Sequence, residues 1–321
     1  MEIRPQDLPE IRSEVVAWHL THGPATFDVA IRMGLMPLRP EGDVHAAAQY
    51  LAHAEAQRVM NGELFWVNAD MTELASVAAK SMPGFTLSPQ DMPSPWGLMV
   101  FERPIRLIKT TGGDVTPIVA AAWGPWAPLN WESGGVWVSW YSDVGAAIDR
   151  SLSGQFANQA GEMAPTVAAM LRAECSALIY DCETVAPFTE TTVASVDALS
   201  GEAAGSDSLG VDLMKAVWLL MQQPLAQSTN VAPDRAARKR LRRKQEEPAI
   251  VRVIELRRPP HSDGDGSGVR EYHHAWVVRG HWRQQWYPAR EVHRPVWIAP
   301  HIKGPEGAPL IGGEKVYAWK R

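Results

Sequence analysis

The chain has 321 residues, 45% of them hydrophobic, with 31 Lys and Arg against 36 Asp and Glu for a formal charge of −5. That is the composition of a globular protein with a real core, long enough for two domains or for one domain with a large appendage. No stretch approaches the ~18 uninterrupted apolar residues of a membrane span, and Met1–Asp7 lacks the basic and apolar regions of a signal peptide, so a cytoplasmic protein is expected.

In chain order, Ile11, Val15 and Trp18 fall at i, i+4 and i+7 and predict a helix over 9–22, stopped by Gly23-Pro24. A second helix is expected from Val44 to Met60, with Asp43 as N-cap and Gly62 past its end. Asp70-Met71-Thr72-Glu73 reads as a capping pattern opening a third helix that ends before Pro83-Gly84. Runs rich in β-branched and aromatic residues then predict strands at 96–101, 118–123 and 136–141, bounded by Gly clusters. Residues 188–208 read as a polar surface excursion. Leu209, Leu213, Ala216, Val217 and Leu220 mark one face of an amphipathic helix ended by Pro224, and 224–234 reads as a polar loop.

Charge then changes sign. Residues 235–321 hold 19 Lys and Arg against 9 Asp and Glu, and also 6 of the 10 His and 5 of the 14 Trp. Residues 235–244 alone carry seven cations. Arg238, Lys239, Arg240, Arg242, Arg243 and Lys244 are candidate phosphate contacts, of the kind that supply affinity without sequence preference. Beyond them, strands are expected at 250–256, 272–278, 296–298 and 316–319, with a turn at 263–268. The expected fold is α+β: a helical and antiparallel-sheet acidic body (1–232), a basic linker helix (233–248) and a small basic β-rich module (249–321).

If the chain stays extended through Gly280, Arg279, His281 and Arg283 share one face at intervals of about 6–7 Å. Such a strip forks onto phosphates, and Trp282, Trp286 and Tyr287 beside it can stack bases. Metal-independent RNA cleavage needs an acid, a base and a cation at the phosphate. The candidates are His281 with His273, His274 or His293 as counterpart, and Arg279 on the phosphate. Bracing of a small β module by the same residues is the bland alternative. Cys175 and Cys182 form no zinc pattern, the C-terminal His spacing matches none either, and no P-loop, Gly-x-Ser-x-Gly or His-Glu-x-x-His occurs, so neither metal nor cofactor is expected. In the body, Trp18, Trp137 and Trp140 are candidates to line a peptide groove, against the usual core role of Trp.

Arg279-Gly280-His281-Trp282, the aromatic Trp286 and the strand ending Trp297-Ile298-Ala299-Pro300 resemble the C-terminal signature of a mobile-element family, that of the second type V-A anti-CRISPR. Ala17-Trp18-His19-Leu20, the strand Trp137–Tyr141 and the helix Leu213–Leu220 are similar to further landmarks of that family in the same order. The resemblance implies recognition of a target's N-terminal peptide as it leaves the ribosome, followed by loss of the encoding mRNA. Expected partners are thus a nascent peptide and mRNA or ribosome, with no membrane. The other readings are a metal-independent ribonuclease or RNA-binding protein acting through the C-terminal module, and a DNA-binding regulator. The last is disfavoured because no helix-turn-helix is legible near the basic run.

Overall fold

Glu63-Leu-Phe-Trp-Val67 follows directly on a helix and forms a strand, β1, whose side chains alternate between two apolar layers. Leu64 and Trp66 enter one layer, Phe65 and Val67 the other. A strand buried on both sides belongs at the centre of a sheet, and β1 is there. The computed structural model describes residues 3–32, 42–108, 115–126, 134–146, 148, 177–188, 207–257 and 276–303.

The helices α1 (Leu8–Thr21), α2 (Gly23–Arg32), α3 (Val44–Asn61) and α4 (Ala69–Ala79) surround β1 in sequence. The expected stop at Gly23-Pro24 is a stop and a restart: Pro24 sits in the first turn of α2, where its missing N–H is not needed. Asp43 caps α3 as expected, accepting from the amides of His45 and Ala46. The cap of α4 is Asn68 and not Asp70, with Asn68 Oδ1 accepting from Met71 N at 2.9 Å.

Strands β2 (Gly97–Ile108), β3 (Val115–Trp126), β4 (Gly135–Asp143) and β5 (Leu178–Pro187) form an antiparallel run. The helix α5 (Asp207–Met221) follows, then β6 (Ala226–Val231), α6 (Arg235–Arg243) and β7 (Val251–Leu256). The sheet order is β5-β4-β3-β2-β1-β7-β6. Both neighbours of β1 run parallel to it, so the sheet is mixed and not purely antiparallel. One face packs on α1 and α3, with α2 against α3, and the other packs on α4 and α5.

This topology confirms the α+β class and corrects the domain boundaries. Residues 226–231, expected in a loop, are the edge strand β6, and β7 lies beside β1 in the middle of the sheet. The basic helix therefore connects two adjacent antiparallel strands of the main sheet, and the chain from 251 to 256 belongs to that sheet and not to a separate module. After β7 come β8 (Trp276–Val278), β9 (His281–Tyr287), β10 (Val292–Ile298) and β11 (His301–Lys303), with β9 paired to β10 and β8 to β11. The expected turn at 263–268, the strand at 316–319 and most of the excursion at 188–208 lie outside the described residues.

Trp residues close on glycines in this core. The ring of Trp123 covers Gly97, where a Cβ would lie 2.1 Å from Cζ2, and Trp96 covers Gly124, where it would lie 2.5 Å from Cε3. Trp123 donates its indole N–H to Ser94 O at 3.0 Å, which satisfies the polar atom that burial would otherwise strand.

Candidate nucleic-acid interface

α6 begins at Asp234, whose carboxylate accepts from Ala237 N at 2.7 Å. Ala237 and Leu241, one turn apart, are buried and dock the helix against α1. Arg235, Arg238, Lys239, Arg242 and Arg243 repeat at i, i+3, i+4, i+7 and i+8 and share the opposite, exposed face. Arg235, Lys239, Arg242 and Arg243 have no ion pair among the described residues, and Arg238 reaches only the carbonyl of Asp234 at 3.4 Å.

Arg240 and Lys244 turn toward α1. Arg240 is held by Glu10, with Nη2 donating to Oε2 at 2.6 Å, so this predicted phosphate contact is corrected to a tether. Burial pushes the carboxyl of Glu14 up, against the opposing pull of Lys244. Glu246 accepts from Ser13 Oγ just beyond the helix. Arg238, Lys239, Arg242 and Arg243 remain as outward cations, joined by Arg235, which the helical repeat would have revealed.

The Arg279-Gly280-His281-Trp282 block divides into two jobs. Gly280 lies under the Trp297 ring, where a Cβ would sit 2.5 Å from Cζ2. Trp282 donates its indole N–H to Ala78 O of α4 at 2.9 Å and packs edge-on against buried Trp297, centroids 5.3 Å apart. This corrects Trp282 as a base-stacking platform: its polar atom and its ring are both engaged in fixing the hairpin to the body. Arg279 and His281 are exposed.

The expected continuous strip is also corrected. β8 and β9 belong to different two-stranded sheets, and Arg279-Gly280 is the joint between them. His281 and Arg283 do share a face of β9, and both are exposed. His281 Nδ1 faces Arg279 O at 3.0 Å, leaving Nε2 outward. The register Trp286↔His293 places His293 on the opposite face of the hairpin from His281, so this pair cannot act as acid and base on one phosphate. His273 and His274 lie outside the described residues. Trp286 is exposed and tilts over His293 at 4.8 Å, and Tyr287 beside it is exposed as well. Among the described residues no group of three or more His, Cys, Asp or Glu could hold a metal ion.

The groove assignment of Trp137 and Trp140 is overturned by burial. Trp140 is inside the core with its N–H donated to Thr184 Oγ1 at 2.8 Å. Trp137 donates to Ser139 Oγ at 3.1 Å under the Arg58 guanidinium, 4.7 Å from its centroid. Trp18 is half-buried between His19 and His22.

Beneath Trp137 lies a polar centre that sequence reasoning missed. Glu55 and Arg58, both buried on α3, pair with each other, and Ser139 Oγ donates to Glu55 at 2.7 Å. Buried His19 faces Tyr141 Oη at 3.0 Å, and burial pushes its pKa down to about 4 while holding Tyr141 well above the usual phenol range. The only hint in the sequence is Glu55-x-x-Arg58 inside an alanine-rich helical face.

The cations concentrated in the C-terminal sequence are thus divided in space: α6 packs on the α1 side of the sheet, the hairpin on the α4 side. Among the described residues no helix is long and apolar enough to cross a membrane. Neither a protein-family model nor a curated protein matches the chain.

Proposed function

We propose that this chain is a mobile-element protein that reads a nascent or N-terminal peptide and lowers expression of the target through translation-coupled mRNA loss. In this reading α6 is the surface that meets RNA or the ribosome. One observation carries it: the five-cation stripe of α6. Like charges at i, i+3 and i+4 repel, and Arg235 and Arg238 in the first turn oppose the helix dipole. Arg242 and Arg243 suit the C-terminal end of the dipole, but the stripe still sets like charges against one another, and a polyanion relieves that repulsion while releasing its counterions. The tether from Arg240 to Glu10 and the buried Leu241 keep the stripe turned outward. The peptide half of the proposal is supported by the resemblance through Arg279-Gly280-His281-Trp282 and the landmarks in the body.

The test is co-sedimentation with translating ribosomes, together with RNA binding measured across a salt series. The variant Arg235→Gln/Arg238→Gln/Arg242→Gln is expected to stay folded, to lose ribosome association, and to flatten the logarithmic salt dependence by about two to three. A wild-type protein that ignores both RNA and translating ribosomes at low salt would end this reading.

A further inference from the structure

We propose that the cleft between residues 88–90 and the tip of the β9–β10 hairpin is a subsite for one nucleotide of a single-stranded nucleic acid. Arg290, which lines the cleft, takes the phosphate, and Tyr287, paired with the lining residue Val292 at the cleft's edge, takes the base. The inference rests on the reading that the chain engages RNA, and it adds a second, strand-selective contact on the face of the sheet away from α6.

The cleft has a volume of about 310 Å³ and is lined by Ser88, Pro89, Gln90, Arg290, Val292 and Arg294. That is the low end of small-ligand sites, the size of a nucleotide and not of a folded partner. Its wall is fixed. Arg294 Nη1 donates to Thr86 O at 3.2 Å and to Asp91 Oδ2 at 2.8 Å, while Nη2 donates to Ser88 Oγ at 2.9 Å. Asp91 Oδ2 also accepts from Ser88 N at 2.7 Å and Ser88 Oγ at 2.8 Å. The carboxylate bordering the cleft is therefore neutralised and held, and it does not compete for an incoming cation or repel an incoming anion strongly.

Arg290 stands opposite in a different condition. It sits in the hairpin turn, where its amide donates to Tyr287 O at 3.1 Å, and its guanidinium is exposed with no ion pair among the described residues. The turn is closed by Glu291 at φ 50°, which fixes where residue 290 projects. An exposed fork beside a rigid, hydrogen-bonded wall suits a phosphate, which it can meet with two parallel donors.

The aromatic partner follows from register. Tyr287 pairs with Val292, and Gln285 with Arg294, so Tyr287, Val292 and Arg294 share one face of the hairpin. Tyr287 is 41% exposed, with ring area available for stacking, and Val292 adds apolar surface beside it, while Pro89 lines the cleft that Val292 shares. Along the same face lie Arg283 and His281, two and three alternations from Tyr287, at intervals of about 6–7 Å. A strand whose bases are unstacked can place one on Tyr287 and run its phosphates from Arg290 toward Arg283. A duplex keeps its bases paired inside and can offer neither.

The experiment measures binding of the full chain to a short RNA in single-stranded and duplex form, by fluorescence anisotropy at one salt concentration. Arg290→Ala and Tyr287→Ala are each expected to weaken single-strand binding about tenfold and to leave duplex binding, carried by α6, unchanged. Both side chains are exposed, and matching thermal melts verify that the variants are folded. A mononucleotide should compete with the single strand far better than inorganic phosphate does. The proposal is overturned if both variants bind single-stranded RNA like the wild type, or if they lose duplex binding equally. It is also overturned if inorganic phosphate competes as well as the mononucleotide, which would make the cleft a free-phosphate site. In the first case, loss of binding in the α6 triple variant would leave the function proposed above intact.

Discussion

His19 makes the stability of this fold depend on pH over a definite window. Its side chain is fully buried, its Nε2 faces Tyr141 Oη at 3.0 Å, and its Nδ1 has no hydrogen-bond partner among the described residues. Phe27 and Tyr180 enclose the ring at centroid distances of 6.0 and 5.9 Å. Burial lowers its pKa from 6.5 to about 4; Glu55 opposes this and Arg58 reinforces it. The folded state thus refuses a proton that the unfolded chain accepts below pH 6.5. Stability is whole above pH 6.5, falls as the pH drops from 6.5 toward 4, and stops falling on this account below 4. The full shift is worth about 3 kcal/mol, of which about 2 kcal/mol is lost by pH 5. Urea denaturation of the wild type and of His19→Gln, from pH 7.5 to 4.5, isolates the residue, because other titrating groups are common to both. The wild type should lose about 2 kcal/mol more than the variant between pH 7 and 5. Parallel curves would mean that His19 does not take up a proton on unfolding, and the argument from its burial would be refuted.

Two further outcomes follow from the core. Glu55→Ala leaves the Arg58 guanidinium buried without its carboxylate and should cost about 3–5 kcal/mol, while Glu55→Gln/Arg58→Met should recover much of it. A loss below about 1 kcal/mol in urea would show that water already reaches the pair. Gly97→Ala forces a methyl group to within 2.1 Å of the Trp123 ring and should cost about 1–3 kcal/mol, read as a lowered Tm and a shifted Trp fluorescence spectrum.

The helices were legible because their signals are local. Asp43 and Gly62 mark the ends of α3, Pro224 lies just beyond α5, and Leu213, Ala216, Val217 and Leu220 are buried on α5 as its periodicity requires. The strands that escaped notice lack that kind of signal. In β1 the four residues Leu64 to Val67 are buried on alternating faces, so it has no polar alternation. β6, Ala-Gln-Ser-Thr-Asn-Val, is an edge strand with four exposed central residues and reads like a loop. Placing β7 beside β1 rests on pairing across nearly 190 residues of chain, as between Phe65 and Arg252, which no local pattern encodes. The domain division failed for the same reason. Charge changes sign along the sequence at 235, yet the chain on either side of that point builds one sheet.

The signature block shows how a motif can be half architecture. Gly280 is required by the close approach of Trp297, and Trp282 is required by Ala78 O, so both would be retained in a protein that touched no nucleic acid at all. Only Arg279 and His281 face outward. A functional loss in Gly280→Ala or Trp282→Ala would report undocking of the hairpin from α4, and would say nothing about which group meets a ligand. Substitution of Arg279 and His281 together, with the melt unchanged, separates the chemistry of the block from its packing. The same logic applies to α6, where Leu241 and Arg240 hold the helix and Arg235, Arg238, Lys239, Arg242 and Arg243 present it. In both places the residues that sequence reasoning grouped as one site are divided, by burial or by a tether such as Arg240 to Glu10, into those that position the element and those exposed on it.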